Sequence, residues 1–323
     1  MRVEPYGPSC KPAWDDFVRR SKNGTFLFLR DYMEYHTDRF HDHSLLVRDD
    51  QDRLLALLPA NASATTVESH GGLTFGGFIT DDTIRTPTML AVFETVLTHL
   101  QGCGMRALIY KAIPHIYHRV AAEEDRYALF LCDARLMRRS VTAVVDSRHR
   151  LPFQERRTRG VKKARRSGLV VRACDDFAAF WAILTERLAR THGARPVHSL
   201  AEITRLRDMF PDCIKLYGCF DGEHMRAGVV IYENAMVART QYIAASDEGR
   251  AVGALDLLFA DLLEDWYRTK PFFDFGTSDE DDRCLNRGLI DQKEGFGARA
   301  VAQDQYEIAL TGWNPGTLTR VVS

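Results

Sequence analysis

"CIKLYGCFDGEHMRAGVVIYENAMVARTQYIAA" (213–245) is followed by "ALDLLFADLLEDWYRTK" (254–270) and "PFFDFG" (271–276), and the order of these runs decides the fold. The first run alternates apolar and polar residues and breaks at Asp221-Gly222, a dipeptide that supplies the positive φ angles of a tight hairpin turn. It reads as three antiparallel strands in a meander. In the second run Leu255, Leu258, Phe259, Leu262 and Leu263 fall on one helical stripe. The third run is a short strand of the buried type.

Upstream, "GLVVRAC" predicts a strand. "DDFAAFWAILTERLARTHG" predicts a helix capped by Asp175 or Asp176 and closed by Gly193, and "SLAEITRLRDMF" a second helix. Downstream come a short helix and a last strand pair in "ARAVAQDQYEIAL". The second half thus reads β-α-α-β-β-β-α-β plus these additions. The first half has a similar order: helical "CKPAWDDFVRRS", a hairpin in "HSLLVRDDQDRLLALLPA" turning at Asp49 to Asp52, helical "TPTMLAVFETVLTHLQGCG" and a strand in "MRALIYK". "ATTVESHGGLTFGGF" takes the place of its fourth strand. The expectation is a mixed α/β (α+β) protein of two tandem domains, 1–150 and 151–323, each a mostly antiparallel mixed sheet flanked by helices.

The 323 residues are 45% hydrophobic and 27% charged, the balance of an ordinary globular chain. No apolar run approaches the roughly 18 residues of a membrane span, and "MRVEPYGPSC" lacks the apolar core of a signal peptide, so a cytoplasmic location is expected. Seven scattered cysteines without a C-x-x-C pair fit reduced thiols. "YHTDRFHDH" and "HIYH" lack metal-site spacing, and no metal is expected. P-loop, dinucleotide-binding and nucleophile-elbow motifs are missing, which removes support for phosphoryl, hydride and serine-hydrolase chemistry. The net charge of −1 argues against nucleic acid as an obvious bulk partner, and DNA is not expected. The charge is uneven, however: Arg156, Arg157, Arg159, Lys162, Lys163, Arg165 and Arg166 crowd "QERRTRGVKKARRSG", either as a solvated helix face or as a surface that faces phosphate.

The β-β-β-α-β order resembles a GNAT acyltransferase domain, in which the fourth strand splays from the fifth and acyl-CoA lies in the gap. The family's Q/R-x-x-G-x-G/A loop is approached by Arg250, Ala251, Val252, Gly253 and Ala254, with a departure at Leu255. Late in the chain, "CLNRGLIDQKEGFGAR" supplies the family's asparagine as Asn286 and its Gly-Phe as Gly295-Phe296. Lys293 stands about where the family has a tyrosine acid. As a whole the chain is similar to tandem-GNAT, Fem-like N-acyltransferases, and most of all to the branch that acylates nucleotide-linked amino sugars. Other Fem-type members use aminoacyl-tRNA to extend peptidoglycan peptides, which is the alternative.

This resemblance implies a transferase in which a neutral amine attacks the thioester of acetyl-CoA or another acyl-CoA. Tyr242, Ile243, Ala244, the loop at 250–254, Asn286 and Phe296 would bind the donor, with an oxyanion contact near Ile243 or Ala244. Lys293 would stabilise thiolate or phosphate charge. The acceptor, a small molecule and specifically a nucleotide-linked amino sugar, is assigned to the first half. There Ser69, Gly71, Gly72, Thr74 and Gly76 in "SHGGLTFGGF", with Lys111 and Tyr117, would receive it and His70 would act as base. A structural role for His70 is the competing reading. Asp274 and the acidic run Asp279, Glu280, Asp281 and Asp282 offer carboxylates for a sugar ammonium, with Glu280 a candidate catalytic group, or form a solvated loop.

Overall fold

The computed structural model describes residues 1–280 and 284–318, so Asp281 and Asp282 lie outside the described residues. The chain divides into two compact units, residues 1–140 with 302–323, and residues 141–301. The divisions fall at 140/141 and 301/302, whereas the sequence places one boundary at 150/151.

The first unit contains β1 (Arg2–Pro5), α1 (Lys11–Arg20), α2 (Arg30–Met33), β2 (Leu45–Arg48), β3 (Leu54–Leu58), β4 (Asn61–Ser63), β5 (Thr66–Glu68), β6 (Ile79–Thr80), α3 (Thr86–Gly102), β7 (Ala107–Lys111) and α4 (Glu124–Leu131). It also holds the start of β8 (Arg135–Asp146). Strands β1-β2-β3-β6 form one sheet, and β4, β5 and β7 lie side by side in another. The expected fourth strand is only three residues long. The chain leaves extended geometry at His70, with φ +56°, and again at Gly77, with φ +87°, so a loop fills the place where a strand is expected.

The second unit follows its predicted order. After the rest of β8 come α5 (Glu155–Arg166), β9 (Val170–Cys174), α6 (Phe177–His192), α7 (Leu200–Met209), β10 (Ile214–Asp221), β11 (His224–Glu233), β12 (Val237–Ala245), α8 (Asp247–Val252), α9 (Ala254–Asp261), β13 (Phe272–Thr277) and α10 (Arg287–Glu294). The strands run β8-β13-β12-β11-β10-β9. Asp176 caps α6 through Ala179 N–H, and Gly193 closes it in the left-handed conformation. Ser199 and Glu202 form a capping box on α7. The long helix expected over 254–270 ends its α-helical part at Asp261 and continues as a π-turn, Leu262–Trp266. Arg150 draws off the Leu263 and Arg268 carbonyls at 2.6 and 2.9 Å, and so competes with further helical bonding. The expected strand pair at 298–310 is one strand, β14 (Arg299–Ala309).

Two features open this sheet. Val230 pairs with Tyr242 but Ile231 pairs with Thr240, so Gln241 is an extra residue that bulges from β12. Strand β13 then runs parallel to β12 only where Val237, Ala238 and Arg239 face Phe272, Phe273 and Asp274. Beyond Arg239 the two strands part. Phe259, Phe275 and Phe296 fill the base of the gap, with ring centroids 4.9 to 5.8 Å apart. Among the described residues no helix is long and apolar enough to cross a membrane.

Candidate functional site

The parting of β12 from β13 leaves a cleft of about 610 Å³ in the second unit. Ile243, Ala244 and Ala245 form one wall, and Leu289, Gln292, Lys293 and Phe296 line it from α10 and its end. These four are spaced i, i+3, i+4 and i+7, so one helical face turns toward the cleft. Arg156 and Arg157 enter from α5, Arg187 from α6 and Arg250 from α8. Asp256 is the one carboxylate among the lining residues.

Backbone donors meet this space. Ser246 N–H donates to Arg226 O at 2.9 Å, and antiparallel pairing alternates from there, so Ala244 and Tyr242 also face β11. The Ile243 N–H therefore points to the edge that β13 has left. It is a ready donor to an oxyanion.

Lys293 is 4% exposed and donates to Gly276 O at 2.9 Å and Thr277 O at 2.6 Å. An ammonium has three N–H bonds, so one remains for a ligand in the cleft. Burial pushes its pKa down to about 8, and the nearby Asp274 carboxylate only partly opposes this. Asp274 is fully buried and accepts from Thr142 Oγ1 and from Gly276 N at 2.7 Å, with Arg239 Nη1 3.7 Å away. That network occupies Asp274, which is a support beneath Lys293 and does not face an incoming ammonium.

Of the donor residues expected from sequence, Ile243, Ala244, Arg250, Gly253 and Phe296 line the cleft. Tyr242 turns elsewhere: its hydroxyl meets His198 Nδ1 at 2.5 Å and its ring packs edge-on against Trp181. Ala251 and Val252 lie within α8, Ala251 O accepts from Lys163 Nζ, and Ala254 is buried. The Arg250 and Gly253 N–H groups donate to Ser246 O and Arg250 O, so this part of the expected loop is wound into α8, while α9 starts at Ala254 without a side-chain cap and its first backbone bond runs from Leu257 N to Gly253 O. Gly253 ends α8 with φ +81°, and a Cβ there would stand 2.8 Å from Gly160 O of α5. Asn286 caps α10 through Leu289 N–H and donates to Glu280 Oε1 at 2.7 Å, which ties Glu280 to the start of α10. Arg187, Asp256, Phe259, Phe275 and Gln292 are lining residues that sequence reasoning missed. The i, i+3, i+4 spacing from Leu289 was the signal available for Gln292.

The candidates of the first unit sit in closely packed surroundings. Ser69 Oγ accepts from Lys111 N at 2.7 Å and Gly76 N donates to Lys111 O at 2.8 Å. Lys111 Nζ donates to the His70, Gly71 and Leu73 carbonyls. Burial lowers its pKa to about 8. Gly71 N donates to Asn61 Oδ1 at 2.6 Å, Thr74 O accepts from Gln303 Nε2 at 2.6 Å, and buried Tyr117 packs on Phe75. Side chains added at Gly72 and Gly76 would meet His36 with Phe40 and the Ser69 carbonyl respectively. His70, 4% exposed, lies against His36 and Phe40, and burial, helped by His36 and Lys111, lowers its pKa to about 3. These glycines are bare because neighbouring groups occupy the space. Among the described residues no group of three or more His, Cys, Asp or Glu is placed to hold a metal.

No family model matches the sequence, and no curated protein matches it. Solved structures do. FemX superposes with a TM-score of 0.68 at 12% identity, over 97% of this chain and 98% of that one. L-PGS from Bacillus licheniformis gives 0.62 at 13% identity, over 98% and 96%. A tandem GNAT protein from the clavulanic acid biosynthesis pathway gives 0.52 at 12%, over 96% and 98%. At such identities the likeness speaks for fold, and the chain has the tandem GNAT-like, Fem-like fold.

Proposed function

We propose that this chain is an N-acyltransferase that moves an aminoacyl group from aminoacyl-tRNA to an amine, with the cleft of the second unit as donor site. The lining of that cleft carries the reading. Four arginines surround its aromatic base, and two of them belong to α5, whose exposed Arg159, Lys162, Lys163, Arg165 and Arg166 extend the positive stripe. A stripe of that length fits a carrier with successive phosphates better than one pyrophosphate. FemX, among the fold neighbours, shares its name with the Fem-type group.

In this reaction a neutral acceptor amine attacks the ester carbonyl. The C–N bond forms, the ester C–O bond breaks, and the proton lost by the amine ends on the ribose oxygen. The Ile243 N–H stabilises the oxyanion. The remaining Lys293 N–H serves the oxyanion or the leaving oxygen, and a pKa near 8 keeps it protonated yet willing to donate at neutral pH.

A second reading, acyl-CoA as donor and a nucleotide-linked amino sugar as acceptor, is favoured by the free β12 edge, where a pantetheine arm would pair as an added strand. Melting of the whole chain separates the two. Deacylated tRNA should raise Tm, by an amount that salt diminishes, and coenzyme A should leave it unchanged; saturation at 100 times Kd corresponds to about 2.7 kcal/mol. A rise with coenzyme A and none with tRNA replaces the first reading by the second.

A further inference from the structure

Within the basic helix α5, Arg157 differs from its neighbours. Arg156 spends its guanidinium on Gln154 Oε1 and Asp291 O, Lys163 donates to Ala251 O, and Arg165 pairs with Asp261. Arg157 donates from Nη1 to Asp256 Oδ1 at 2.5 Å, while its Nε is buried and has no hydrogen-bond partner. Three further features hold it. Its stem passes Gly295, where a Cβ would stand 3.2 Å from Arg157 Cγ. Its guanidinium carbon lies 5.6 Å from the centre of the Phe296 ring. The Asp256 carboxylate that anchors it occupies the space a side chain at Gly160 would need. Two glycines, an aromatic ring and the lone carboxylate of the cleft therefore serve one side chain.

We propose that Arg157 is a preset anion fork, whose Nε and Nη2 take two oxygens of a phosphate on the donor's carrier, and that Asp256, Gly160 and Gly295 are the residues that position it. A buried guanidinium N–H left unmade is costly. Nε and Nη2 are parallel donors in one plane, so a single two-oxygen anion satisfies both. Asp256 fixes the far nitrogen and keeps that edge turned to the ligand. The inference rests on the cleft being the donor site and holds for either carrier, a terminal nucleotide phosphate or the pyrophosphate of coenzyme A.

Calorimetry on the full chain tests it with two probes, a 5′-phosphorylated CCA trinucleotide and coenzyme A, against wild type, Arg157→Lys and Asp256→Asn. Arg157→Lys retains the charge but loses the fork, so affinity should fall about tenfold or more while the salt dependence keeps its slope. Asp256→Asn removes a negative charge from an anion site, which by charge alone would tighten binding. Loss of the anchor should weaken it instead. This second variant keeps the test decisive if Arg157→Lys proves unstable. CCA binding that weakens in the variants supports the fork and the tRNA reading together. Coenzyme A binding that weakens supports the fork and replaces the carrier. Unchanged binding in Arg157→Lys, tighter binding in Asp256→Asn, or binding of neither probe to wild type overturns the fork.

Discussion

Lys293 makes a quantitative demand on stability that catalysis need not enter. Its pKa is about 8 in the folded chain against 10.5 when solvated. Between those values the unfolded chain binds more protons, so unfolding free energy rises with pH. At 1.36 kcal/mol per pH unit, the gap amounts to about 3 kcal/mol gained from pH 7 to above 10.5. Lys111, also lowered to about 8, adds a contribution of the same sign, while half-buried Cys132 and buried Cys219, raised to about 12, act oppositely above pH 9. The useful quantity is therefore the difference between wild type and Lys293→Met in urea unfolding at each pH, in which the other groups cancel. The substitution also orphans the Gly276 and Thr277 carbonyls, at a cost of about 1–3 kcal/mol per group that does not vary with pH. The difference curve should be flat below pH 7.5 and climb by about 3 kcal/mol in favour of wild type toward pH 10.5. A difference curve without slope from pH 8 to 10.5 would refute the buried ammonium.

Other substitutions probe the packing that surrounds the sites. Gly253→Ala places a side chain at φ +81° and against Gly160 O, and should cost about 1–3 kcal/mol in urea unfolding; a neutral change would remove both constraints. Gly76→Val drives its side chain into the Ser69 carbonyl and should cost about 2–4 kcal/mol, whereas a stable variant would restore the glycine to an open surface. His70→Asn suits the left-handed backbone at this position. Wild-type His70, with a pKa near 3 when folded, loses stability as pH falls from 6.5 toward 3, so the variant should resist acid better and retain the neutral pH profile of turnover. A vanished acid limb in turnover would make His70 a base after all.

The second unit was legible wherever one residue type settles one local geometry. Asp176 and Gly193 bound α6, and Gly222, at φ +57°, turns the β10-β11 hairpin while Asp221 stays paired with His224. The bulge at Gln241 was not, because one extra residue alters which way N–H groups point while leaving the apolar run intact. "DEGRAV" read as a loop since six residues carry too little periodicity to mark α8. The basic segment was visible as charge, but its seven cations look alike in sequence. Only the fold shows that Arg157 meets Asp256 and passes Gly295. The glycines of "SHGGLTFGGF" are ambiguous for a related reason: a bare backbone fits equally a ligand surface and a packed loop, and the occupants of the space, the Ser69 carbonyl and the Phe40 ring, are set by tertiary structure.

Transfer itself identifies the donor. Full-length protein is mixed under single-turnover conditions with tRNA charged with labelled amino acids, and in parallel with labelled acetyl-CoA. Each mixture contains the same panel of amine acceptors, nucleotide-linked amino sugars and nucleotide-linked peptides. An aminoacyl ester is cleaved by mild base and an amide is not, so base-stable label counts transfer. Base-stable label is expected from aminoacyl-tRNA, reduced about 10²-fold or more in Lys293→Gln, and none from acetyl-CoA. Base-stable product from acetyl-CoA alone would make an acyl-CoA the donor instead.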